Sequence, residues 1–135
     1  MPIDAGPLVS LCDRNQPTHA RCQAVLETIS APVISTWACL VEAMHLVGRI
    51  GGFRLQAHLW ELLDRDIVRL HEHDDVERRL MTALMNRYQN VPMDLADAAL
   101  VAVAETLGDR TVFTLDSDFR IYRLADGGTF KIVPE

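Results

Sequence analysis

Pro92–Phe119 reads PMDLADAALVAVAETLGDRTVFTLDSDF, and its pattern decides the reading of the whole chain. Asp94 and Asp97 stand three apart at the start of an apolar run that ends at Leu107-Gly108-Asp109, a helix with a glycine stop. Thr111–Thr114 then has the β-branched and aromatic character of a short strand. Leu115-Asp116-Ser117-Asp118 delivers two further carboxylates at its end. Apart from Glu105 and Asp109 at the helix end, acid is confined to the first turn of the helix and the last residues of the strand. In an open α/β sheet both positions face the crevice outside the carboxyl ends of the strands, where ligands bind. Carboxylates gathered there suit a cation rather than an anion.

Working outward, the chain alternates short apolar runs with helical patterns. Pro7–Cys12 opens a helix, with Pro7 suited to its first position. Thr18–Thr28 is a helix with Cys22, Val25, Leu26 and Ile29 as its apolar stripe, and Pro32–Ile34 is a strand. Ser35 or Thr36 caps the next helix, which Gly51-Gly52 breaks before a further helix over Phe53–Leu63. Ile67–Leu70 is a strand. Asp74-Asp75 opens an amphipathic helix through Tyr88, with Val76, Leu80, Ala83, Leu84 and Tyr88 on the apolar side. Ile121–Arg123 is ambiguous, and Phe130–Val133 is an edge strand. Alternation of this kind predicts an α/β protein with a small, mostly parallel sheet covered on both faces. The 135 residues, with 49% hydrophobic content, suit one domain over 1–135.

Composition narrows the function. A formal net charge of −6 argues against a purely electrostatic nucleic-acid binder. It leaves a nuclease open, because bound divalent ions reverse the local sign. No apolar run is long enough to span a membrane. The start Met1-Pro2-Ile3-Asp4 has no secretory pattern, which points to the cytoplasm. Cys12, Cys22 and Cys39 lack ligand spacing and read as buried small hydrophobes. His71-Glu72-His73-Asp74 lacks a third soft ligand nearby and reads as a solvated strand end, and His45 and His58 as helix-surface residues.

Carboxylates recur where a helix or strand gains little from them. Asp4 ends the first short apolar segment, and Glu42 lies among Leu40, Val41 and Ala43. Asp97 and Asp116 complete the set, with Asp94 and Asp118 beside them. Each has a plain alternative: Asp94 as a helix cap with Asp97 in its first turn, Asp4 as a loop residue, and Asp116-Ser117-Asp118 as a turn. Jointly they favour shared cations, since a lone buried carboxylate is costly and oxygen ligands select Mg²⁺ or Mn²⁺.

The chain resembles PIN-domain proteins, in particular the VapC-type toxin ribonucleases of bacterial toxin–antitoxin pairs. The matching pieces are IDAGPLV, STWACLVEA, MDLADAALVAVAE and TVFTLDSDF, in the family's order and across essentially the whole chain. The resemblance implies a three-layer α/β/α sandwich. It also implies catalytic acids at Asp4, Glu42, Asp97 and Asp116, supported by Asp94, Asp118, Thr114 and Thr36 (or Ser35). Asp4, Asp97 and Asp116 would hold one or two Mg²⁺ or Mn²⁺ ions, and Glu42 would ligate or orient water. The activity implied is endoribonucleolytic hydrolysis of single-stranded or loop RNA. The partners implied are a small antitoxin that covers the acidic groove and offers it an arginine, and a second copy. The helix faces of Thr36–Gly48 and Phe53–Leu63 are candidate dimer surfaces. Two features depart from the family: only Met1-Pro2-Ile3 precede the first acid, and Ala5 stands where many members carry Thr or Ser. Arg14, Arg21, Arg49 and Arg54 are candidate phosphate contacts, and Trp37 is a candidate base-stacking or core residue.

Rival classes fit less well. An aspartate-based phosphatase would need a second acid two residues after Asp4, where the chain has Gly6. An inert PIN-like interaction module would be favoured by loss of one of the four acids. GxxxxGK[ST] and GxGxxG are absent, which removes the common nucleotide-binding loops.

Overall fold

The short N-terminal segment holds the sheet together. In the computed structural model, which describes residues 1–135, Pro2 pairs in parallel with Ile34 and Ile3 with Phe113. Ile3 N–H donates to the Ile34 carbonyl at 2.9 Å, and Phe113 N–H to the Pro2 carbonyl at 2.8 Å. On one side lie β1 (Val33–Ser35) and β2 (Val68–Leu70), on the other β3 (Thr111–Phe113) and β4 (Lys131–Val133). Both strand pairs are parallel, so the order across the sheet is β2, β1, the N-terminal segment, β3, β4. β4 is an edge strand, as expected. A proline in a central segment is tolerated here because it begins the strand.

Helices cover both faces of this sheet. Successive strand residues point to opposite faces, and β3 feeds a different core with each. Phe113 packs in a cluster with Ile3, Leu8, Leu40, Val47 and Leu59. Val112 packs with Leu100, Val101, Phe119, Tyr122 and Phe130. The first core is built with α1 (Ala5–Cys12), α2 (His19–Glu27) and α3 (Trp37–Asp64). The second uses α4 (Asp75–Arg87) and α5 (Leu95–Leu107), the latter buried continuously from Ala96 to Ala104. This is the α/β/α sandwich expected. No helix is long and apolar enough to cross a membrane.

Element boundaries differ in informative ways. α1 starts at Ala5, capped by Asp4, so Pro7 is its third residue and not its first. That position still belongs to the first turn, where a backbone N–H has no intrahelical partner and proline costs little. Thr36 caps α3, while the Ser35 hydroxyl donates to the Ile3 carbonyl at 3.0 Å. α3 continues to Asp64 around a kink at Gly52, whose φ of 64° and ψ of −153° are open essentially to glycine alone. Gly108 takes φ 64° and ψ 27° as the left-handed cap of α5. The three cysteines are free and buried. His45 and His58 are exposed on α3.

α4 is rotated from the expected face. Val76 is 70% exposed and Ala83 is exposed, whereas Glu77 and Leu84 are buried, with Leu80 and Tyr88 half-buried. The inward stripe runs 77, 80, 84, 88, a helical spacing that places a carboxylate where Val76 was expected. Glu77 tolerates this because His71 and His73 meet it. Val76→Ala should therefore change unfolding free energy by less than about 0.5 kcal/mol, while Leu84→Ala should cost roughly 2–4 kcal/mol in denaturant titrations. Equal costs at the two positions would contradict this orientation.

Candidate active site

The acids converge at the carboxyl ends of the central strands. Asp4 leaves the N-terminal segment into α1, and its own N–H donates to the Phe113 carbonyl at 2.9 Å. Its Oδ1 accepts from the Ala5 N–H at 2.8 Å, which is its helix-capping bond. Its Oδ2 accepts from the Thr114 hydroxyl at 2.7 Å. That hydroxyl in turn accepts from the Asp116 N–H at 3.0 Å. Thr114, the first residue after β3, therefore ties one acid to the backbone of another. Asp116 caps a 3₁₀ turn over Ser117–Arg120, its Oδ1 accepting from the Asp118 N–H at 2.9 Å.

Asp94 and Asp97 follow the same economy. Asp94 caps α5, accepting from the Asp97 N–H at 2.8 Å. Asp97 is buried one turn inside, and its Oδ2 accepts from the Tyr122 hydroxyl at 2.7 Å. Asp4, Glu42, Asp94, Asp97 and Asp116, with Ala5, Gly6, Leu46 and Leu115, line one groove of about 230 Å³. Carboxylate oxygens of Asp97, Asp116 and Asp118 lie within 4.8 Å of one another. Asp118 thus stands as near Asp97 and Asp116 as a shared ion requires, while Glu42 sits exposed at the groove mouth. Thr36 is buried and occupied in capping, its Oγ1 accepting from the Cys39 N–H at 3.1 Å.

No lysine or arginine answers these charges. None of the six carboxylates enters an ion pair within the chain. Burial pushes the Asp97 carboxyl up to about 7, with Asp94, Asp4 and Asp116 raising it further against the Tyr122 hydrogen bond. Burial also raises Asp4, opposed by Thr114 and Ala5 and reinforced by Asp116 and Asp94. Glu42 is raised by partial burial and by Asp4, Asp94 and Asp116. Like charges held together without a counterion fit a divalent cation bound by oxygen ligands.

Other expected contacts lie elsewhere. Arg14 and Arg54 line a larger cavity of about 630 Å³ between the end of α1 and the second half of α3, away from the acids. Its size does not make it the chemical site, because none of the candidate catalytic acids lines it. Arg21 donates to the Glu135 carbonyl at 2.7 Å, and Arg49 is exposed on α3 without lining the acidic groove. Trp37 is 49% exposed and not a core residue, its indole N–H meeting Glu72 at 3.3 Å. His71 and His73 are half-buried against Glu77 and do not form a solvated strand end. The sequence reading missed Tyr122, which is fully buried and holds Asp97. Its spacing from Phe119, another buried aromatic one turn earlier, was the available signal.

The fold and this groove define a PIN domain: the family model for the PIN domain matches residues 1–124, and the chain belongs to that family. Among particular proteins, it is 25% identical to ribonuclease VapC26 of Mycobacterium tuberculosis (strain ATCC 25618 / H37Rv) over 135 residues, 99% of this chain and 100% of that one. The crystal structure of Mycobacterium tuberculosis VapC20, a sarcin-ricin loop cleaving toxin, superposes with a TM-score of 0.78 at 16% identity. That match covers 87% of this chain and 90% of the other, and it shows the shared fold. Family and acid cluster together support a metal-dependent, nuclease-like activity.

The raised Asp97 carboxyl sets a pH dependence. Its folded value of about 7 lies above the ordinary 3.8, so the unfolded chain gives up this proton first as pH rises. The stability contributed is fully present below about pH 4 and is lost as pH climbs through about 7. Metal-free protein should therefore melt at progressively lower temperature between pH 5 and pH 7.5 (roughly the span of the shift). Mg²⁺ should restore the upper end by binding the ionised form, and Asp97→Asn should flatten the slope. Thermal melts across pH, with EDTA and with Mg²⁺, check all three.

Proposed function

We propose that the chain is a Mg²⁺- or Mn²⁺-dependent endoribonuclease that hydrolyses phosphodiester bonds in single-stranded or loop RNA. The observation that carries this reading is the groove in which two buried, hydrogen-bonded carboxylates, Asp4 and Asp97, meet those of Asp94, Asp116 and Glu42 without a counterion. Asp4, Asp97 and Asp116 are assigned as the ligands of one or two ions: Asp4 lines the same groove, and the oxygens of Asp97 and Asp116 lie within 4.8 Å of one another and of Asp118, which is close enough to share an ion. When bound, a divalent ion supplies a nucleophilic water near neutral pH and offsets charge on the phosphate. Glu42 sits at the solvent side, where it can orient water or accept its proton.

The remaining residues position the ligands. Thr114 fixes Asp4 and the start of the Asp116 turn together, Asp94 caps the helix that carries Asp97, and Tyr122 orients the Asp97 carboxylate. Thr36 caps the helix that carries Glu42. Such outer contacts determine how precisely ligands meet an ion.

The same reading makes the protein the toxin of a type II toxin–antitoxin pair, acting in the cytoplasm. An antitoxin segment that offers an arginine to the acids would satisfy the charge that the chain leaves unpaired. A second copy would cover α3, which exposes Trp37, Val41, Leu46, Ile50, Phe53 and Trp60.

Asp97→Asn and Asp4→Asn should each reduce RNA cleavage by more than the roughly 100-fold that loss of an outer-shell contact costs. Thr114→Val should fall within about 10–100-fold, as expected for a positioning residue. EDTA should abolish cleavage, and Mg²⁺ should restore it. Equal cleavage by wild type and Asp97→Asn, with and without EDTA, would sink the assignment.

A further inference from the structure

A second cluster of ligand-type side chains lies at the same edge of the sheet but outside the acidic groove. His71 follows β2 directly, and its N–H donates to the Ser35 carbonyl at 2.9 Å, which fixes its backbone. Two residues on, His73 approaches the same partner. Glu77 lies in the first turn of α4, where Asp74 Oδ1 accepts its N–H at 2.8 Å. His71 Nε2 stands 2.8 and 2.9 Å from the two Glu77 oxygens, and His73 Nδ1 stands 3.0 Å from Oε2. The strand at one end and the helix cap at the other thus hold both imidazoles on one buried carboxylate.

We propose that His71, His73 and Glu77 form a binding site for a borderline divalent cation of the Zn²⁺ type, pinning the end of β2 to the start of α4. Two imidazole nitrogens and one carboxylate are a Zn²⁺ ligand set, whereas the oxygen-only groove suits Mg²⁺ or Mn²⁺. Around Zn²⁺, tetrahedral ligand atoms at about 2.0–2.1 Å from the ion stand roughly 3.3 Å apart. The observed spacings need to open by only a few tenths of an ångström, a motion side chains can make with the backbone fixed. Loading replaces two N–H···O bonds with metal bonds and moves each ring proton to the other nitrogen, with no net proton change for neutral imidazoles. His73 Nε2 is buried without a partner in the chain. Loading places a ring proton on this nitrogen without an acceptor in the chain, a cost that the new metal–nitrogen bonds have to offset. Three protein ligands leave a fourth position for water or an outside group.

The role is structural and independent of the nuclease reading. The test is a Co²⁺ titration of the full chain carrying Asp97→Asn and Asp116→Asn, which disables the acidic groove. One equivalent should bind with visible absorption from a nitrogen-ligated, low-coordinate ion, and Zn²⁺ should displace it while millimolar-range Mg²⁺ does not. Adding His71→Ala or His73→Ala, each of which removes a ligand nitrogen, should weaken binding by more than roughly 100-fold. Zn²⁺ should also raise the melting temperature in a concentration-dependent way. In the otherwise unaltered chain, Zn²⁺ should shift the ¹⁵N resonances of both imidazoles, a readout that does not require the alanine variants to fold. Absence of uptake, uptake unchanged by His71→Ala, or imidazole resonances unmoved by Zn²⁺ would each overturn the proposal.

Discussion

The hydrogen bond from Thr114 to Asp4 is the contact on which the rest of this architecture depends. Asp4 ends the central segment of the sheet and caps α1, and Thr114 follows β3 directly and begins the turn that carries Asp116. A single 2.7 Å bond therefore joins the two chain exits that flank the groove. It satisfies one oxygen of a buried carboxylate that has no cationic partner, while the Ala5 N–H satisfies the other. Leaving such a group unsatisfied would cost a few kcal/mol, a large share of the stability of a domain this size. The central segment can be very short because this bond and its ladder bonds on both sides fix its end.

The acids are placed by caps as much as by the sheet. Asp4, Asp94 and Asp116 each accept a backbone N–H at the start of a helical segment, so each carboxylate is oriented before any ligand arrives. Helix starts also favour negative charge, which partly offsets the repulsion among neighbouring acids. Asp97 lacks a cap role and uses Tyr122 instead. Tyr122 is fixed by edge-on packing against Phe119 and Tyr88, with centroids 5.2 and 5.0 Å away. The aromatic cluster under α5 thus sets the direction of a carboxylate on its surface, which links core packing to the chemistry above it.

Much of this was legible in the sequence because charge in an apolar run is conspicuous. Asp97 within LADAALVAVA and Glu42 within CLVEAM stand out for that reason, and Gly108 and Thr36 mark helix ends through simple local rules. The resemblance then ordered the acids into a single site. The spacing of Tyr122 from Phe119 marks it as an inward aromatic, but its bond to Asp97 depends on a 3₁₀ turn that brings it back under α5, which the sequence does not report. The face of α4 was misjudged for a related reason. Val76 is the more apolar residue, but the imidazoles at the end of β2 make Glu77 the better buried one. Whether a charge is a surface residue or an inward one depends on what it meets. Periodicity does not report that.

The two carboxylate groupings solve one electrostatic problem in opposite ways. Glu77 is buried with two donors already in the chain, and despite burial their hydrogen bonds hold its carboxyl below the usual range. Asp97 is buried with a single hydroxyl donor among like charges, and its carboxyl rises. The first arrangement is satisfied without a ligand, so an ion there must compete with existing hydrogen bonds and gains by replacing them with stronger metal–nitrogen bonds. The second is unsatisfied without one, so a cation gains by relieving repulsion. Donor chemistry sharpens the division, since imidazole favours borderline ions and carboxylate alone favours hard ones. A chain can therefore carry both groupings at one sheet edge and still keep their ions apart.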